Sequence, residues 1–308
     1  MALDRRQFLG STTKALFAAA VGESLVSTSR GDENGVPEPT KKVIVGAHPW
    51  VYAATQPKYD IYPILDPIFA DMSYAGLDGI ELMHTALRPP DAFERIRELS
   101  RKYALPVIGT SFEGAMWDRA QHEAVFEDAR IVVTRLAELG GRTLGTSVGK
   151  APQPKTPAQL DAQAELLRGI MALCRRYGVV LNLHNHTYEV ENDMHDLRGT
   201  LERIPDVKLG PDLNWLVRGG VDPVKFIETY GDRIVFLHLR DQKADGKWSE
   251  AMGEGNMDYV AIGKALQKVK FSGDAVIELA HEGNFKPTRP LRESLKMSRA
   301  YVKQTLGF

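Results

Sequence analysis

Two histidines close the run Val179-Val-Leu-Asn-Leu-His-Asn-His-Thr-Tyr-Glu189, and alternation along a strand points His184 and His186 to the same face. Three later segments are built the same way. Val207-Lys-Leu-Gly-Pro-Asp212, Ile234-Val-Phe-Leu-His238 and Ala275-Val-Ile-Glu278 are short, mostly apolar runs that end in a ligand-type side chain. If the strands lie side by side, His184, Asp212, His238 and Glu278 converge. Their nitrogen and oxygen donors suit a divalent ion such as Mn, Zn, Mg or Co. Each residue alone means little; the repeated placement at strand ends carries the reading.

The elements that must position these side chains follow in order along the chain. Val43-Ile-Val-Gly-Ala47 reads as a strand running into His48-Pro-Trp50, and a helical pattern covers residues 61–75. Gly79-Ile-Glu-Leu-Met83 puts Glu81 and Met83 on one face of the next strand. Helical spacing over residues 91–103, a strand over 105–110, a helix over 121–139 and a weaker strand over 142–148 come next. Pro157 opens an amphipathic helix that Gly178 ends. Beyond the His184 strand, helices near 193–204, from Asp222-Pro223, over 258–269 and over 290–306 separate the remaining strands. About eight strand-then-helix units imply parallel strands joined by right-handed crossovers. Residues 41–308 match the roughly 250 residues of a closed barrel. The expectation is therefore α/β, a single-domain (β/α)8 TIM barrel. An open doubly wound sheet would want a glycine-rich turn after its first strand, where this chain has His48-Pro-Trp50.

Composition removes other classes. The chain has 308 residues and a formal net charge of −1, which disfavours a nucleic-acid partner. Cys174 is the single cysteine and sits in a helical apolar stripe, so it reads as a core residue and not a nucleophile. Asp4-Arg5-Arg6-Gln7-Phe8-Leu9 and the apolar residues 15–21 look like a twin-arginine export signal, too short to remain as a membrane span. Residues 24–40 read as a linker, so 1–40 is expected to be export signal plus linker and the mature protein periplasmic. Export weighs against phosphorylated substrates. No stable membrane insertion is expected, and a homo-oligomer is compatible with the chain.

These segments together resemble the xylose isomerase-like barrel superfamily, in its sugar phosphate isomerase/epimerase branch, over nearly all of residues 41–308. Gly79-Ile-Glu-Leu resembles the second-strand motif, Leu183-His-Asn-His the fifth, Asp212-Leu-Asn-Trp the sixth and Leu237-His-Leu-Arg-Asp241 the seventh. Met252-Gly-Glu-Gly255 resembles the loop leading into the last strand. The resemblance implies a metal held by a glutamate, an aspartate, a histidine and a glutamate. Carried over, the last three fall on Asp212, His238 and Glu278, while the first falls on His184, a neutral ligand in place of a charged one. Trp215 stands where the family usually has a histidine, which argues against a trinuclear, DNA-repair type of site.

The expected chemistry is proton abstraction next to the carbonyl of a free sugar or keto-sugar. Of the family's two opposed glutamates only Glu278 is kept. His186 is the candidate for the second acid or base, with Glu81 a further one. Arg240 is a candidate clamp for substrate oxygens, Glu254 could close over the substrate, and His48 and Trp215 could wall the site. A keto-sugar or inosose-type dehydratase or lyase, or a non-catalytic carbohydrate-binding barrel, are the alternatives.

Overall fold

The computed structural model describes residues 42–308. The expected export signal and linker lie outside the described residues. Strands β1 (Val45–Ala47), β2 (Ile80–Met83), β3 (Val107–Glu113), β4 (Thr143–Ser147), β5 (Val180–Leu183), β6 (Lys208–Leu209), β7 (Phe236–Leu239) and β8 (Asp274–Ile277) form one sheet ordered β6-β5-β4-β3-β2-β1-β8-β7. Every named pairing is parallel. Between them run α1 (Trp50–Ala53), α2 (Leu65–Tyr74), α3 (Ala92–Lys102), α4 (His122–Glu138), α5 (Pro157–Arg176), α6 (Thr187–Arg203), α7 (Leu213–Arg218), α8 (Pro223–Tyr230), α9 (Tyr259–Lys268) and α10 (Leu291–Leu306).

The seam between β6 and β7 is closed by isolated bridges, Leu209 to Ile234 and Asp212 to His238. The bridge nearest the C-terminal rim therefore sets two of the expected ligand residues directly opposite each other. The result is the expected (β/α)8 barrel, nearly closed, with helices between the strands.

Local sequence explains where the elements start. Thr156 caps α5 in a reciprocal capping box with Gln159, and Pro157 occupies the first turn. Asp212, Asp222 and Asp258 accept backbone N–H groups at the starts of α7, α8 and α9. Apolar residues on the inner faces of α2, α4, α5 and α10 are buried against the strands, and Cys174 is part of that core as expected. Burial pushes its thiol up to about 12, which suits an inert packing role.

Several elements differ from the sequence reading. β3 runs on to Glu113 instead of stopping at Thr110, because Ser111 and Glu113 pair with Gly145 and Ser147 of β4. α6 begins at Thr187, directly after His186, and breaks at Asn192, Asp193 and Met194, which all have left-handed φ. The expected helix near 193–204 is the portion after that break. Gly145 lies within β4, where a Cβ would come 3.2 Å from Glu81 Oε1.

Candidate active site

A cavity of about 340 Å³ opens at the C-terminal ends of the strands. Its floor is polar and its walls are aromatic. His48, His184, His238, Arg240 and Glu278 reach it from below, His186, Ser147 and Glu113 from one side, and Trp50, Phe112, Trp215 and Trp248 form the walls. Ligand atoms of His184, Asp212 and Glu278 all lie within 4.8 Å of one another. His238 stands outside that group of three, although its ring contacts two members: Nδ1 is 3.2 Å from His184 Nδ1, and Nε2 is 3.8 Å from Glu278 Oε2.

Glu81 does not reach the cavity. It is fully buried beneath the floor, where its Oε2 accepts from His238 Nε2 at 2.7 Å. The sequence reading offered it as an acid or base facing substrate, and the geometry gives it another task. It fixes the orientation of the His238 ring by holding its Nε2–H. Burial opposes a charge on His238, but the Glu81 carboxylate outweighs it and raises the imidazole to about 9, with help from Glu278 and Asp212.

Arg240 reaches under the floor and places Nη2 2.8 Å from both Asp212 Oδ2 and Glu278 Oε2. Its partners are therefore these two carboxylates. The contacts have ion-pair distances without hydrogen-bond alignment, since both oxygens are buried with no hydrogen-bond partner. Burial favours the neutral form of Asp212 and raises it. Burial would do the same to Glu278, but Arg240, His48 and His238 overcome it and hold that carboxyl well below the usual range. His184 is lowered by burial first and by His238 next, so its imidazole is neutral and free to act as a ligand.

His48 Nε2 lies 3.0 Å from Ser111 Oγ, and its Nδ1 accepts the Trp50 N–H at 3.2 Å and faces Glu278 Oε1 at 3.5 Å. His186 lines the cavity with its ring stacked on Tyr188 at 5.2 Å. Burial works against its charged form, yet nearby Glu189 prevails and raises it. Trp215 and Trp248 meet edge to face at 5.6 Å, with the Arg240 guanidinium 5.3 Å from the Trp215 ring. Glu254 is not part of the cavity wall. It accepts from the Ala251 N–H and from Arg289, and so ties down its own glycine-flanked loop.

Glu113 and Trp248 line the cavity and were missed in the sequence. Glu113 follows from continuing the period-2 alternation of β3 by three residues. Trp248 sits in a polar loop paired to Gln242, and no local pattern marks it.

The donor set fits a divalent ion. Ligands at about 2.0–2.2 Å from a common centre lie roughly 3–4 Å apart, a separation the three groups reach by small side-chain movements. Asp212 Oδ2 and Glu278 Oε2 are buried oxygens without a hydrogen bond, as prospective ligands should be. His184, Asp212 and Glu278 would hold the ion, with His238 beside them.

Residues 69–301 match the xylose isomerase-like TIM barrel family, and the chain belongs to it. An inosose dehydratase of Geobacillus kaustophilus (strain HTA426) is 23% identical over 248 residues, covering 69% of this chain and 79% of that protein. The rhizopine catabolism protein MocC of Rhizobium meliloti is 26% identical over 253 residues, covering 71% and 76%. Among solved structures, a D-allulose 3-epimerase from Methylomonas sp. superposes with a TM-score of 0.70 at 18% identity, covering 86% of this chain and 99% of that one. The apo 3-keto-D-glucoside 4-epimerase YcjR of E. coli gives 0.65 at 17% identity, covering 84% and 100%.

Proposed function

We propose that this barrel is a divalent-metal-dependent sugar isomerase or epimerase that removes and returns a proton beside the carbonyl of a free sugar or keto-sugar. The observation that carries the reading is the convergence of His184, Asp212 and Glu278, of which His184 and Glu278 line the floor of an aromatic-walled cavity and Asp212 is buried beside them. An ion held by these three supplies positive charge beside the substrate carbonyl, which lowers the cost of removing the neighbouring C–H proton. Arg240 orients substrate oxygens with the donors that its two carboxylates leave free. Glu278 is the ionised carboxylate at the floor and the candidate proton acceptor, with its pairing to Arg240 keeping it charged while weakening it as a base. His186 and Glu113 enter from the side wall and are the groups available to return a proton to the other face. The aromatic walls exclude water and stack against the C–H faces of a sugar ring.

A dehydratase or lyase is the second reading, favoured by one departure. Inverting a carbon calls for proton-transfer groups on both faces, and the family's fifth-strand glutamate is here His184. Elimination needs one base and one acid for the departing hydroxyl, which Glu278 and His186 can supply. The inosose dehydratase relative points the same way. The paired Arg5 and Arg6 support export to the periplasm, where unphosphorylated sugars are the accessible substrates.

The test is incubation of manganese-loaded protein with keto-sugars in D2O, followed by proton NMR. Deuterium at the carbon next to the carbonyl, lost on chelation, is the expected result. Inversion at that carbon identifies the epimerase, and loss of water identifies the dehydratase. An absence of exchange with every keto-sugar contradicts both.

A further inference from the structure

Trp50 lines the cavity, and its ring stacks on Tyr59 at 5.4 Å and 25°. Tyr59 nevertheless remains 55% exposed, so the contact does little to bury it. The backbone that holds it there is strained. Lys58 and Tyr59 both have φ of 56°, a left-handed conformation adopted here by two side-chain-bearing residues in a row. Such placement is unfavourable for residues with a side chain and persists only where the surroundings enforce it. Here Tyr59 N–H donates to Gln56 at 3.1 Å, Asp60 N–H to Pro57 at 3.1 Å, and Asp60 in turn accepts Tyr62 N–H at 2.9 Å. A surface turn with no other task would release the strain by placing glycine at these positions. This one holds a flat aromatic face open to solvent beside Trp50.

The path from floor to rim is continuous. Glu278 faces His48, His48 accepts the Trp50 N–H, and Trp50 stacks on Tyr59. Trp50 thus links the cavity that holds the floor residues to the exposed Tyr59 ring. We propose that Trp50 and Tyr59 form a distal subsite that seats the second ring of a two-ring glycoside, while the ring being converted lies on the floor. The proposal rests on reading the floor as a carbohydrate site, and it narrows the substrate class from single sugars to glycosides. The recognition chemistry is stacking of a ring face on exposed π surface, which a pyranose or an aryl aglycone can provide.

The experiment uses binding, so it does not depend on turnover. Dissociation constants are measured by ligand-observed NMR for cellobiose, maltose, phenyl β-glucoside and the methyl glucosides, with manganese-loaded wild type, Tyr59→Ala and Tyr59→Phe. At least one two-ring probe binds wild type about tenfold more tightly than the matching methyl glucoside, which is the size of a good aromatic stack. Tyr59→Ala removes that advantage and leaves the methyl glucosides within about twofold, whereas Tyr59→Phe keeps it. An advantage for the disaccharides identifies a sugar as the second ring, and one for phenyl glucoside alone identifies an aryl group. The proposal is overturned if no two-ring probe gains over its methyl glucoside, or if the gain survives Tyr59→Ala. A protein that keeps the gain but exchanges no deuterium loses the reaction reading and retains the subsite.

Discussion

Replacing Glu81 by Gln preserves shape and removes the charge that sits 2.7 Å behind His238. In metal-free protein the wild-type ring titrates at about 9 against an ordinary 6.5, and Glu81 is the foremost of the groups that raise it. Lifting a histidine by that much corresponds to on the order of 3 kcal/mol. The sign follows from proton counting. Between pH 6.5 and 9 the folded chain keeps a proton that the unfolded chain has released. The contribution is therefore complete below about 6.5 and is lost as pH rises through about 9. For a domain of this size the loss appears as a fall in Tm of roughly 5–10 °C over that interval. The assay is thermal unfolding of chelator-treated protein across pH 6–10, paired with NMR titration of the histidine ring protons. Glu81→Gln should flatten the Tm profile and move the highest-titrating ring to below neutrality. A wild-type profile already flat over that range, or a ring that titrates at the same pH in both proteins, refutes the reasoning.

Arg240 competes with any cation for Asp212 Oδ2 and Glu278 Oε2. Removing a unit charge that close, in Arg240→Ala, should tighten manganese binding by at least about tenfold while lowering turnover, as read by calorimetric titration and deuterium exchange. Equal or weaker metal binding counts against the competition. Asp241 accepts four backbone N–H groups, from Gln242, Gly253, Gly255 and Met257. Asp241→Asn puts an amide NH2 among those donors and should cost on the order of 3 kcal/mol, with faster hydrogen exchange confined to residues 249–257. Unchanged exchange in that loop would show that the carboxylate does not organise it.

Much of the fold was legible because the strand-end pattern repeats. Runs such as residues 181–183 and 275–277 are buried on both faces, so they read as short, mostly apolar stretches that stop where the rim begins. The same rule located His184, Asp212, His238 and Glu278 at one mouth. Alternation also put Glu81 on the inward face of its strand, but a period of two carries no information about depth. Glu81 and His238 thus occupy different heights in the barrel, with one supporting the other. Arg240 lines the cavity, but its pairing with Glu278 just past β8 and with Asp212 before α7 is long-range, and no local pattern encodes it. Glu254 looked available between two glycines, yet its loop is fastened by Arg289 from much later in the chain. Trp248 comes from a loop and Trp50 and Tyr59 from short helical turns, where composition signals a turn without indicating which way a ring will face.

The most direct test of the central claim is calorimetric titration of chelator-treated protein with manganese, wild type against Asp212→Asn. The account predicts one site per chain in the wild type and loss of most of that binding in the variant, whose circular dichroism spectrum stays that of the folded barrel. No stoichiometric binding by the wild type, or undiminished binding by the folded variant, contradicts it.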